Sequence, residues 1–362
     1  MAAANVHSLM LPQRGLNNGR YEIIRMLGRG TASSTFLCVD RSSHAKKYTA
    51  VKVLTSHATQ GNKAQILQEL EIMQAVSVLD DNDHLPILCD HFEHDGPYGR
   101  HLCLVMEPLT TDISSFRRNT PRKALPVHTV KMQSSMYVKP DNILFCIGNS
   151  PDHIDSQLES TPLEIDGDIE VNGVSYPIMR PQPLKHSFRW DDRPNLVILY
   201  DLLLIDLGHS MQVVGAFALR APEVILHAPF GTAIDIWAVG CIAFELLTGQ
   251  WAFNPKAGET WNIEDDHLAK MMELTGETFH PDLLAQSQKR EHFFAPDGQL
   301  RSIDTLYPVS IREALLNYKV FIGACLRLNP EDRPSAKALL DHNWMRGALS
   351  CDSYYLPPDW HN

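Results

Sequence analysis

Leu27-Gly28-Arg29-Gly30-Thr31-Ala32-Ser33 runs straight into Ser34-Thr35-Phe36-Leu37-Cys38-Val39-Asp40. The glycines alone mark only a turn. The residues after them decide the fold. A doubly wound nucleotide fold needs a helix directly after such glycines. Here a second strand-like run comes next, and Tyr21-Glu22-Ile23-Ile24-Arg25-Met26 precedes as the first. The stretch therefore reads as a glycine turn between two strands.

Working outward, the next strand, 48–54, carries Ala50-Val51-Lys52. A glycine turn between strands suits a flap over phosphates, and a lysine at a strand end beside small and branched residues can reach phosphate oxygens. Such a lysine needs a carboxylate to hold it. Residues 64–76, AQILQELEIMQAV, have apolar positions at helical spacing. Glu69 on that helix is the candidate partner, and Glu71, on another face, is the alternative. Residues 101–109 read as a further buried strand, ended by Pro108.

Two later stretches carry metal-binding chemistry. Tyr137-Val138-Lys139-Pro140-Asp141-Asn142 and Ile205-Asp206-Leu207-Gly208 offer an amide and a carboxylate on neighbouring loops. Together these can hold magnesium against phosphates, with Lys139 neutralising charge on a transferring phosphoryl group. Between them, residues 146–195 are rich in acids, prolines, Asn and Gly. They read as an inserted, partly disordered surface segment. From about 235 onward the patterns are mostly helical.

Composition narrows the classes. The chain has 362 residues, 44% hydrophobic, with 43 acids against 32 bases and a net charge of −11. That sign argues against direct nucleic-acid binding, which needs basic patches, and tolerates a basic peptide. Seven scattered cysteines show no CxxC spacing and fit a reducing compartment, so an intracellular chain, cytoplasmic or nuclear, is expected. The N-terminal residues lack a secretory pattern. The longest apolar run, 234–247, contains Asp235 and Glu245 and is too short to span a bilayer.

Taken jointly, these motifs resemble those of eukaryotic-type protein kinases. Ala221-Pro222-Glu223, Asp235-Ile236-Trp237 and Arg333 in NPEDRPSA extend the resemblance over roughly 21–345. The DLG at Asp206, the preceding spacer and the stretch IEDDHLAKMMELTG are similar to SR-protein kinases, fungal members in particular. The resemblance implies an α+β, two-lobe fold: a β-rich small lobe over 21–108 and a mainly helical large lobe over 109–346 that includes the 146–195 spacer. A lead, 1–20, and a tail, 347–362, flank them. It implies ATP and Mg2+ as cofactors. Leu27, Gly28, Gly30, Ser33, Ala50, Lys52, Glu69, Met106, Glu107 and Leu109 would form the ATP site. Met106 would be the gatekeeper, and 107–109 the adenine hinge. Asn142 and Asp206 would bind metal. Glu223 would pair with Arg333, and Asp235 would hold the catalytic loop. Protein serine and threonine hydroxyls would be the acceptors, in arginine–serine-rich proteins if the likeness extends to substrate, and a monomer with no membrane contact is expected. Glu264, Asp265 and Asp266 are candidates for docking a basic peptide. They serve equally as the acidic first turn of a helix.

The pattern breaks at the catalytic loop. Counting back from Lys139 puts Tyr137 at the aspartate position and Ser135 at the histidine position. A phenol with a pKa near about 10 cannot serve as the base that a carboxylate would be. The helix expected before this loop spans about 30 Å, roughly 20 residues, yet Pro121 and Pro126 leave only 127–136. Part of the large lobe is therefore missing. The segment from 209 to 220 is also short, with Ser210 its only hydroxyl. Two accounts compete: a noncatalytic ATP-binding pseudokinase or scaffold, and a shortened form of an active parent. Retention of Lys52, Asn142 and Asp206 favours the second.

Overall fold

The computed structural model describes residues 15–79, 84–127, 129–130, 140–147, 151–192, 196, 201–206, 217–308 and 316–345. The chain divides into two compact units, Met1–Ile113 with Asn142–Ser187 and Asp201–Gln212, and Ser114–Asp141 with Phe188–Tyr200 and Val213–Asn362. The first is β-rich and the second helical. Among the described residues no helix is long and apolar enough to cross a membrane.

The first unit is built on a six-stranded antiparallel sheet: β1 (Gly15–Leu16), β2 (Tyr21–Arg29), β3 (Ser33–Asp40), β4 (Tyr48–Leu54), β5 (Asp90–Gly96) and β6 (Gly99–Met106), in the order β1-β2-β3-β4-β6-β5. Alternation along the strands sorts their side chains to two faces. Phe36, Cys38, Val51 and Val105 pack on one. Ala50, Leu54, Leu104 and Met106 pack on the other. β7 (Leu109–Asp112), β8 (Ile143–Cys146) and β11 (Leu202–Leu204) form a separate three-stranded sheet in the same unit.

Of the helix read over 64–76, only 69–76 is helical, and a separate helix that was not anticipated precedes it. α1 (Ser56–Lys63) starts at Thr55, whose hydroxyl accepts from the Ala58 N–H at 3.0 Å, and α2 runs Glu69–Val76. Between them the backbone turns, with Gln65 at φ 56°. Asn62 joins the pieces. Its carbonyl accepts from the Leu70 N–H at 3.3 Å, and its amide donates to Glu71 at 3.1 Å. Periodicity alone did not reveal that Asn62 would start the second helix from outside it.

The segment 146–195, read from the sequence as a partly disordered surface insert, carries regular structure. α4 (Pro151–Ser160) is followed by a hairpin of β9 (Ile165–Val171) and β10 (Val174–Met179). Asn172 and Gly173 both have positive φ, 51° and 77°, which is the turn that Asn-Gly favours between twisted strands. That dipeptide was the available signal. The segment up to 187 belongs to the first unit rather than to the large lobe.

The second unit centres on α6 (Ala233–Thr248). Gly240 lets it approach α10 (Leu316–Cys325) closely, since a Cβ there would stand 2.8 Å from the Cys325 side chain. On α7 (Ile263–Thr275), His267 is fully buried against Phe217 and Phe253, and neither ring nitrogen has a partner among the described residues. Burial, helped by the charge of Arg220, pushes its pKa down to about 3. An unfolded histidine takes up a proton below about pH 6.5. The folded one does not, so this stability is complete above that pH and is lost on acidification toward pH 3. We expect a loss approaching about 2 kcal/mol between pH 6.5 and 5. Urea midpoints at both pH values should therefore diverge more for the wild type than for His267→Phe. Equal divergence would remove His267 as the cause.

Candidate functional site

Lys52 lies on β4, on the same face as Ala50 and Leu54, with Thr35 of β3 and Leu104 of β6 as its cross-strand partners. Its ammonium is clasped by two carboxylates, Glu69 at the start of α2 and Asp206 after β11, the latter at 3.0 Å. Glu71 turns to Asn62 instead, so the two-helix break selects Glu69. Burial opposes the charge on Lys52, but the two carboxylates outweigh it and raise its pKa above the ordinary lysine value. Lys52 therefore stays a cation throughout the physiological range.

Asp206 sits at φ 64°, in the left-handed region that a non-glycine residue rarely adopts. Such a conformation persists only when the surroundings hold it, and it is concentrated at functional sites. Here the Ile205 N–H donates to the Asn142 carbonyl at 2.8 Å, so Asn142 and Asp206 lie on joined loops. The flap closes the site from the sheet side. The Gly30 N–H donates to the Ser33 carbonyl at 2.9 Å, and the Thr55 N–H to the Ala32 carbonyl at 2.8 Å. A cavity of about 20 Å³ remains, lined by Ala32, Ser33, Lys52, Glu69 and Asp206 among others. A side chain at Gly28 would meet nothing within 4 Å. The fold itself therefore does not require a glycine there, whereas close approach of a ligand would.

Beside this cavity, Ala50 and Met106 are direct cross-strand partners and are buried. Leu27 packs against their cluster. Glu107 follows at the strand end, its carboxyl pKa raised by burial and by Asp201, and Leu109 is buried in β7. The oxygen donors of Asp206 and Asn142 are the hard ligands that magnesium prefers, and the cationic Lys52 beside them suits a phosphate. The residues present thus fit both groups.

In the second unit, Glu223 and Arg333 form a two-pronged pair at 2.6 and 2.8 Å, with both side chains fully buried. Asp235, in the first turn of α6, is exposed as a residue, and partial desolvation of its carboxyl raises its pKa. The acidic trio of α7 is engaged internally. Asp265 is buried and completes a capping box with Asn262. Glu264 pairs with Lys289 at 3.2 Å, and Asp266 accepts from the Lys256 N–H at 2.7 Å. Of the two uses read from the sequence, the geometry displays the helix start. Lys139, Tyr137, Ser135 and Ser210, and the backbone that Asp235 would hold around them, lie outside the described residues.

Comparison with known proteins points the same way. The protein kinase domain family matches residues 204–345. The serine/threonine-protein kinase SRPK of Physarum polycephalum is 27% identical over 371 residues, covering 90% of this chain and 85% of that protein. The probable serine/threonine-protein kinase sky1 of Dictyostelium discoideum is 34% identical over 189 residues, 49% of this chain and 28% of that protein. Among solved structures, a kinase-domain crystal structure superposes with a TM-score of 0.65 at 21% identity, over 94% of this chain and 99% of that one, a likeness of fold.

Proposed function

Because this chain belongs to the protein kinase superfamily and resembles its SR-protein kinases, we propose that it binds ATP with magnesium beside Lys52. We further propose that it transfers the γ-phosphoryl only weakly, to serine or threonine hydroxyls of arginine–serine-rich proteins. The observation that carries this reading is Lys52 clasped between Glu69 and Asp206 beneath the flap.

Each residue has a task in that reading. Lys52 orients the phosphates, and Glu69 keeps its ammonium aimed. Leu27, Ala50 and Met106 supply an apolar surface for the adenine ring. Asp206 and Asn142 would hold magnesium, which when bound neutralises charge developing on the phosphates. Transfer then needs a group to take the acceptor hydroxyl's proton. Tyr137 stands where a carboxylate is expected and keeps its own proton, and loss of a positioned base removes about 10²–10⁴ in rate.

Calorimetric titration with Mg–ATP and labelled transfer to an arginine–serine peptide test both halves. The expected result is saturable, magnesium-dependent binding with slow transfer that disappears in Lys52→Ala. Transfer at the usual kinase rate, about 1–100 s⁻¹, would overturn the weak-transfer half. Absence of ATP binding by the folded chain would overturn the whole reading.

A further inference from the structure

We propose that residues 161–184 of the insert position the glycine flap by clamping β2 and β3. Three observations, all within the first unit, carry it.

The insert covers both faces of the flap hairpin. Successive residues of β3 point to opposite sides of the sheet. Phe36 and Cys38 share a buried cluster with Met179, and Leu163 packs against it. Leu37 and Val39 share another with Ile154 and Leu184. The hairpin is therefore held between two parts of one inserted segment, and Leu27, at the base of the flap, packs against the second cluster.

The insert also bonds β2 where that strand is irregular. The β2–β3 register shifts twice, between Ile23 and Arg25 and between Met26 and Gly28. Bulges bend a strand and re-aim its groups, and they favour sites beside active centres. At the first, the buried Arg25 donates from its guanidinium to the Thr161 carbonyl at 2.6 Å. At the second, the Gln182 N–H donates to the Met26 carbonyl at 2.8 Å. Both irregular points of β2 thus end on the insert.

Gln182 ties the clamp to itself. Its side-chain amide donates to the Pro162 carbonyl at 2.7 Å and its carbonyl accepts from the Glu164 N–H at 3.0 Å. The two arms of the insert consequently meet at the residue that bonds Met26. From Met26 only Leu27 intervenes before Gly28. The flap is held at two places, by Thr55 at its tip and by Gln182 at its base.

The role in ATP binding rests on the function proposed above, and the test separates the two. Gln182→Pro deletes the N–H that bonds Met26. Pro181 and Pro183 already flank the position, and Pro183 favours the extended backbone there. Gln182→Ala keeps that N–H and loses only the side-chain tie. Amide exchange over 27–35 is expected to quicken by roughly 5–10-fold in the proline variant relative to alanine, the worth of one backbone hydrogen bond. Its ATP affinity is expected to weaken by a similar factor. A purely structural tie would lower the melting temperature and leave affinity alone. Equal exchange in the two variants would overturn the proposal. If the wild type binds no ATP, the functional reading fails while the exchange comparison still decides the clamp. Should the proline variant not fold, the Gln182 amide of the wild type decides. Protection matching that of the β2 and β3 amides supports the clamp, and free exchange overturns it.

Discussion

Glu223→Ala is expected to leave the second unit unfolded or close to it at ordinary temperature. The two partners have no side-chain exposure, so alanine would strand the Arg333 guanidinium in the interior. Arg333 is fixed from other sides as well: it donates to the Arg327 and Ala233 carbonyls, each at 2.9 Å, and lies 5.1 Å from the centre of the Trp237 ring. It cannot swing into solvent without dismantling these contacts. Removing one partner of such a pair costs about 3–5 kcal/mol, against a total stability of about 5–15 kcal/mol for a typical domain. Trp237 in turn stacks on Phe253 at 5.4 Å, and Phe253 meets His267 at 5.5 Å. The disturbance would therefore enter an aromatic column that runs through the unit. Urea denaturation followed by circular dichroism measures the loss. Replacing both partners, Glu223→Met with Arg333→Leu, should recover part of it, because apolar replacement of a whole buried pair is often neutral or stabilising. A cost below about 1 kcal/mol for Glu223→Ala would show that the pair does not hold the unit together.

Lys52→Met should act on the first unit in two ways at once. It removes the cation from Glu69, whose side chain is only 9% exposed, and an uncompensated carboxylate there costs on the order of 2–3 kcal/mol. It also removes the charge-assisted bonds to phosphate, which should weaken ATP binding by roughly 10–100-fold. Glu69→Gln separates the effects. It keeps Lys52 beside Asp206, so nucleotide affinity should fall less than in Lys52→Met. Thermal melts and calorimetric titrations on the three chains give the comparison. Unchanged ATP affinity in folded Lys52→Met would mean that the phosphates are bound elsewhere.

Much of the first unit was legible because its signals are local. The strands over 21–40, 48–54 and 101–106 declare themselves by short runs of branched and apolar residues, and successive residues of a strand take opposite faces. The placing of Lys52 at a strand end follows from the same pattern. The insert was misread for a different reason. Its helix is short, and its Asn172-Gly173 turn was buried in a run of acids and prolines that looked like surface filler. Its stabilising surfaces, Met179, Ile154 and Leu184, are single apolar residues whose partners on β3 lie more than a hundred positions away in the chain.

By itself, the sequence determined that a glycine turn joins two strands, that a lysine-bearing strand comes after it, and that the later motifs belong to one kinase-like set. Those properties depend on spacing along the chain. Tertiary structure alone decided two others: that Glu69 and not Glu71 meets Lys52, and that the insert grips the flap. Each depends on a partner distant in sequence. A charge or an apolar side chain records that it needs a partner, but its own position in the chain does not say which one the fold will bring to it.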